Sequence, residues 1–157
     1  MASDERPLPL TREVPSPHIG PYPPRVLVVE ASEPQRSAVV RALQRVGCHP
    51  IEASCAEEGW IAAMAYTIDL AMVSESLRDM SGAALVRLLR TSDEQRLRQL
   101  PIVGLTDHAG GEQSLSSSGV TCFVRSPYHE TDVMQAILWV AEVYWADLEC
   151  VANGLGE

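Results

Sequence analysis

The chain has 157 residues, 12 basic and 21 acidic, for a formal net charge of −9. That length suits one domain with a single core, and the acidic balance argues against nucleic acid, whose phosphates are neutralised by clustered Lys and Arg. Every basic side chain is Arg and there is no Lys, so chemistry that needs an ε-amino group is excluded.

Met1 to Pro24 holds seven of the 11 prolines, with charges between them and no apolar period. Proline fixes φ and removes donors, so residues 1–24 are expected to form a disordered, Pro-rich arm. Pro-rich segments also serve as docking ligands, although the spacing here names no reader. Arg25 to Glu30 then reads as a buried strand. Ser32-Glu33-Pro34-Gln35 predicts a helix start, with Ser32 as cap, Pro34 in the first turn and Gln35 completing a capping box. Val39, Ala42, Leu43 and Val46 carry that helix over 33–46, and Gly47 stands where a left-handed cap is favoured.

His49 to Ala53 is a second strand. Ser54-Cys55-Ala56-Glu57 is a second capping box, opening a helix whose apolar face carries Trp60, Ile61 and Met64 and which ends near Tyr66. Ile68 to Val73 is aliphatic and unbroken by polar groups after Asp69, as in a strand buried on both faces. Ser81 caps a third helix with Ala84, Leu85, Leu88 and Leu89 turned inward, followed by a polar stretch from Thr91 to Gln99. Pro101 announces a strand at Ile102 to Thr106. Asp107 to Gly119 is rich in Gly and Ser, which are poor helix formers, so any helix there is expected to be short and marginal. Val120 to Val124 is a fifth strand, and a last helix runs from about Glu130 to Leu148, with a tail at 149–157. Strands and helices alternating at this spacing predict a doubly wound α/β domain over 25–148, with five parallel strands.

In this order the residues resemble the receiver domain of bacterial two-component response regulators, a flavodoxin-like fold. The resemblance rests on Val28-Val29-Glu30, Asp69-Leu70, Gly82 eight residues beyond Ser74, Pro101-Ile102-Val103-Gly104-Leu105-Thr106, and Ser126-Pro127-Tyr128. In that family a phosphoryl group passes from a histidine to an aspartate at the end of the third strand. Acids after the first strand hold a divalent cation, a Thr or Ser ends the fourth strand, and a Lys precedes a Pro after the fifth. Carried over by motif, Glu30 takes the first acid position and Ala31 the second, Ser74 the phosphoacceptor position, Thr106 the hydroxyl position, Ser126 the Lys position and Phe123 that of the switching aromatic. The resemblance thus implies a pseudo-receiver with no catalytic residue, metal or cofactor. A serine there has no adjacent base, one carboxylate is a poor Mg²⁺ site, and electrostatic stabilisation of the transferred group is lost. The alternative is a regulator still phosphorylated by a histidine kinase on a nearby acid, Asp79 or Glu75, although Glu75 is expected on the opposite strand face from Ser74.

Two apolar stripes mark the last helix: Val133, Ile137, Val140, Tyr144 and Leu148 as the core face, and Met134, Leu138, Ala141 and Trp145 beside it. The second stripe, with Trp139, is the expected interface, for a homodimer or for a histidine kinase, phosphotransferase or other signalling protein. His18, His49, His108 and His129 read as solvated. Cys48, Cys55, Cys122 and Cys150 follow no zinc or CxxC spacing and predict reduced thiols. No apolar run is long enough to span a bilayer and no signal peptide pattern begins the chain, so the expected location is the cytoplasm.

Overall fold

The computed structural model describes residues 23–107 and 109–145. Five parallel strands, β1 (Arg25–Val29), β2 (His49–Ala53), β3 (Leu70–Ser74), β4 (Ile102–Thr106) and β5 (Cys122–Arg125), form one sheet in the order β2-β1-β3-β4-β5. This is the expected doubly wound sheet. Each parallel crossover is made by a helix: α1 (Glu33–Arg45), α2 (Ala56–Ala65), α3 (Gly82–Arg90) with the short α4 (Gln95–Arg98), and α5 (Ala109–Ser118). The final helix α6 (Glu130–Val140) continues as a π-helical turn, Ala141–Trp145.

Strand alternation splits the core in two. Val26, Val28, Leu70, Met72, Val103 and Leu105 face α1 and α6, while Leu27, Val29, Ala71, Val73 and Ile102 face α2, α3, α4 and α5. All residues of β3 and β4 are buried, as a central parallel strand covered on both faces requires. The amino edge of the sheet is tied by Asp69, whose Oδ2 accepts the Arg25 N–H at 2.8 Å.

The helix ends differ from expectation in instructive ways. Ser32 does cap α1, its Oγ accepting the Gln35 N–H at 3.4 Å, and Gly47 has the left-handed φ of +86°. The Gln35 side chain, however, does not reach back to close the box: it donates to Ser126 Oγ at 2.9 Å, and the Ser32 N–H is taken by Glu30 Oε2 at 3.0 Å. At α2 the N-cap is Cys55, with no side-chain cap bond of its own. Glu58, not Glu57, reaches back to the Ser54 N–H at 2.7 Å.

Three packing expectations are corrected. In α2 the buried residues are Ala56, Gly59, Ala62 and Ala63, while Ile61 and Met64 are exposed and Trp60 is half-buried. In α3, Leu85, Val86 and Leu89 are buried and Leu88 is exposed. The marginal helix after β4 is a helix of ten residues, because tertiary contacts outweigh weak propensity: Leu115 is fully buried, and Glu112 pairs with Arg125 of β5. The N-terminal arm through residue 22 and the tail lie outside the described residues.

Candidate functional site at the carboxyl edge of the sheet

Sheet order reverses between β1 and β3, and in open α/β sheets the crevice beyond the carboxyl ends of such strands is where ligands bind. Three polar side chains are buried there in a core otherwise aliphatic: Glu30 just after β1, Ser74 ending β3 and Thr106 ending β4, with 3%, 4% and 0% exposure. Ser126, after β5, is held beside them by its N–H, which donates to the Thr106 carbonyl at 2.7 Å. The sequence-predicted positions therefore do converge on one edge. Ala31, half-buried, contributes no polar group.

Glu30 is the hub. Its Oε2 accepts the Ser32 N–H, its Oε1 accepts the Tyr128 O–H at 3.4 Å, and its carbonyl accepts Arg36 Nη1 at 2.7 Å. Burial raises its pKa above the ordinary carboxylate value, while the Ser32 N–H and the hydroxyls of Ser74 and Tyr128 pull it back. Burial likewise raises the Tyr128 phenol, helped by the charges of Glu30, Asp107 and Glu75. Tyr128 and Asp107 were not singled out in the sequence as site residues. Their clue is position alone, two residues after Ser126 and one after Thr106.

Ser74 is shared between the Glu30 carboxyl and its own loop. Its Oγ accepts the Ser76 N–H at 3.3 Å and lies 3.5 Å from the Ser76 carbonyl as donor. Thr106 Oγ1 is buried without a hydrogen-bond partner among the described residues. The loop that follows Ser74 is closed by a bridge between Ser76 and Ser81 and by Gly82, whose N–H donates to the Glu75 carbonyl at 2.9 Å. A Cβ at Gly82 would stand 1.9 Å from the Ser74 carbonyl oxygen, so only glycine fits where the helix start meets the strand end.

The two neighbouring acids are placed differently. Asp79 accepts the N–H groups of Ala56 and Glu57, both at 2.9 Å, supplying from the β3–α3 loop the cap that Cys55 lacks. Those two bonds hold its carboxyl below the usual range. Glu75, just past the strand, has buried carboxylate oxygens, and its charge reaches Tyr128.

A hard divalent cation takes oxygen ligands led by one or two carboxylates. Both Glu30 oxygens already accept protein hydrogen bonds, its charged form is disfavoured, and Ala31 and Ser74 add no charge. No group of three or more His, Cys, Asp and Glu side chains among the described residues is arranged to hold a metal ion. Glu30, Ala31 and Ser74 by themselves do not make up a magnesium site, and Asp107 and Glu75 are the other carboxylates whose charge reaches this edge.

On the flank, Phe123 lies against Gly104, where a Cβ would meet its ring at 3.0 Å. Phe123 also lines an open groove of about 390 Å³ with Arg125, Asp132, Gln135 and Trp139. Along α6, Val133, Ile137 and Val140 are buried as expected, but so is Ala141, which leaves the second stripe. Met134 is half-buried, and Leu138 and Trp139 are exposed, as is Val143. The side chains of Tyr144 and Trp145, and Leu148, are outside the described set. Cys48, Cys55 and Cys122 are free thiols. No helix among the described residues is long and apolar enough to cross a membrane.

No family profile matches the chain, and no curated protein matches it in sequence. Its structure is similar to the chemotaxis response regulator CheY4 of Vibrio cholerae, with a TM-score of 0.70 and 22% identity over 75% of this chain and 98% of that one. A putative response regulator from Chloroflexus aurantiacus gives 0.71 and 16% identity over 76% and 98%. The receiver domain of a sensor histidine kinase from Pseudomonas aeruginosa, solved with a magnesium ion coordinated in its active-site cleft, gives 0.70 and 16% over 76% and 98%. At these identities the likeness is one of architecture: the chain has the CheY-like receiver fold.

Proposed function

We propose that the chain is a pseudo-receiver, a receiver-like signalling module that has lost phosphotransfer and works in the cytoplasm by binding other proteins. The observation that carries this reading is Ser74. Where the receiver fold presents its phosphoacceptor carboxylate, this chain has a buried neutral hydroxyl bonded within its own loop. Ser126 supports it, standing in the lysine position and bonded to Gln35. Phosphoryl transfer depends on charge neutralisation around the moving group, and neither Ser74 nor Ser126 supplies charge. Asp79 is a poor substitute acceptor, because both its oxygens are engaged at the α2 N-terminus.

Output then falls to surfaces. Leu138, Trp139 and the half-buried Met134 on α6 form the face on which a second copy, a histidine kinase, a phosphotransferase or another signalling protein docks. The test uses the full chain labelled for NMR. Berylliofluoride with Mg²⁺ leaves the amide spectrum unchanged, and acetyl phosphate adds no phosphoryl mass. A phosphorylated Asp79 or Glu75 overturns the reading. Trp139→Glu weakens self-association or partner capture without unfolding the domain, and an unaltered sedimentation profile together with unaltered capture removes this face from the account.

A further inference from the structure

The sheet ends in two edge strands, β2 and β5. An edge strand turns alternate main-chain N–H and C=O groups away from the sheet, where an added strand can pair with them. The inward side of β2 is fixed by two bonds: the His49 N–H donates to the Pro24 carbonyl at 2.7 Å, and the Ala53 carbonyl accepts the Glu30 N–H at 3.0 Å. By alternation Pro50 and Glu52 face outward. Proline has no N–H to offer and Glu52 adds a charge, two ways in which an edge is closed to pairing.

Strand β5 is built differently. The Ser126 N–H donates inward to the Thr106 carbonyl at 2.7 Å, and Phe123 and Arg125 lie opposite Gly104 and Thr106, so the main-chain groups of Phe123 and Arg125 face outward. No proline stands in β5, the Arg125 charge is paired with Glu112, and among the described residues no strand pairs with the outer side. The same strand forms one wall of the open groove of about 390 Å³, with Asp132, Gln135 and Trp139 of α6 on the other. Trp139 is 42% exposed. Ile61 and Met64 on α2 and Leu88 on α3 are exposed as well, but a helix bonds its own main chain, so those faces name no occupant. At β5 an aromatic wall stands beside unpaired main chain, and that combination fits an extended polypeptide. Charge selects its source. A second copy would bring another net charge of −9 to the contact, whereas basic residues in the added segment meet Asp132 and an acidic surface.

We propose that β5 is a docking edge: an extended, basic segment of another protein adds to it as a further strand, bonding to the Phe123 and Arg125 main chain and laying an apolar side chain against Trp139. This deepens the reading of α6 as a docking face and rests on it. The probe is acetyl-Lys-Val-Lys-Val-Lys-Val-amide, and its control is the same sequence with every amide N-methylated, which keeps side chains and charge but cannot donate to the edge. Amide hydrogen exchange of the full chain is followed by NMR. In the free protein the Phe123 and Arg125 amides exchange fast and that of Val124 is protected. Saturating probe slows Phe123 and Arg125 several-fold, and the methylated control does not. Lack of protection at any soluble probe concentration overturns the proposal. So does protection already present in the free monomer, which makes the chain its own cover, or protection lost on dilution of the free protein, which makes a second copy the occupant. Equally tight binding of both peptides overturns strand addition while the α6 face stands. Protection undiminished in Trp139→Glu upholds strand addition and removes the α6 face as a docking surface.

Discussion

Gly82 and Asp79 show how single residues hold the carboxyl edge in register. The Gly82 position abuts the Ser74 carbonyl oxygen, at 1.9 Å for a would-be Cβ, and a carbonyl in a buried strand cannot yield as a side chain can. Gly82→Ala is therefore expected to cost about 3 kcal/mol or more, at or beyond the usual range for overpacking, read from urea unfolding; a loss below 1 kcal/mol, on the scale of an ordinary surface substitution, would show that the strand end gives way. Asp79 makes the opposite kind of contribution. Its carboxyl is held low by the Ala56 N–H, then the Glu57 N–H, so it favours the folded state above the ordinary value of 3.8 and loses that contribution as pH falls through the lower folded value. Asp79→Asn is expected to lower Tm at pH 7, with the gap to wild type narrowing in strong acid. A gap independent of pH would mean that geometry, not charge, makes the cap. The sequence spoke for Gly82 through its eight-residue spacing from Ser74. It was silent on Asp79, because a cap delivered from 23 residues away leaves no local pattern.

At the scale of elements, the same division holds. Strands β1, β3 and β4 were legible because burial on both faces writes an unbroken aliphatic run, and β4 has the expected bounds, Ile102–Thr106, whereas the edge strands β2 and β5 are only partly buried. Helix α5 was misjudged because propensity is a weak prior: Leu115 and the Glu112–Arg125 pair stabilise it from outside. Helix α2 misled for a different reason. Beyond Glu57 and Glu58 in its first turn the helix is apolar on every side and gives little phase, and size decided which side went in, since Gly59 allows the close approach to Val29. Gly59→Ala measures that approach. Replacing a helical Gly by Ala gains about 1 kcal/mol, but overpacking against the buried Val29 costs about 1–3 kcal/mol. The net expectation is a loss in urea unfolding, and a net gain would show α2 free to ride outward. At the site, the edge positions Glu30, Ser74, Thr106 and Ser126 were readable from motif order. The use of Gln35 was not, because its partner Ser126 is 91 residues away while a local capping box offered a nearer one.

Across the whole molecule, Glu30 joins β1 to the segment after β5 through Tyr128, and Gln35 joins α1 to the same segment through Ser126. This leaves a buried carboxylate in a chain already carrying a net charge of −9, with Asp107 adding repulsion. The folded pKa of Glu30 is raised, burial being the first cause. The sign follows from proton binding: the folded state holds this proton more tightly than the unfolded chain, so the contribution to stability is full below the ordinary value of 4.5 and is lost as pH rises through the higher folded value. Glu30→Gln keeps a carbonyl oxygen for the Ser32 N–H or the Tyr128 hydroxyl but removes the charge. Relative to wild type, the variant should therefore gain stability as pH rises from 4 to 8 in thermal unfolding. Tyr128→Phe, by contrast, should lose about 1 kcal/mol, the scale of one intramolecular hydrogen bond, and expose amides after β5 to faster hydrogen exchange. If Glu30→Gln instead becomes relatively less stable with rising pH, the ionised carboxylate is favoured by its partners over burial, and the edge holds a usable negative charge, which would reopen cation binding there.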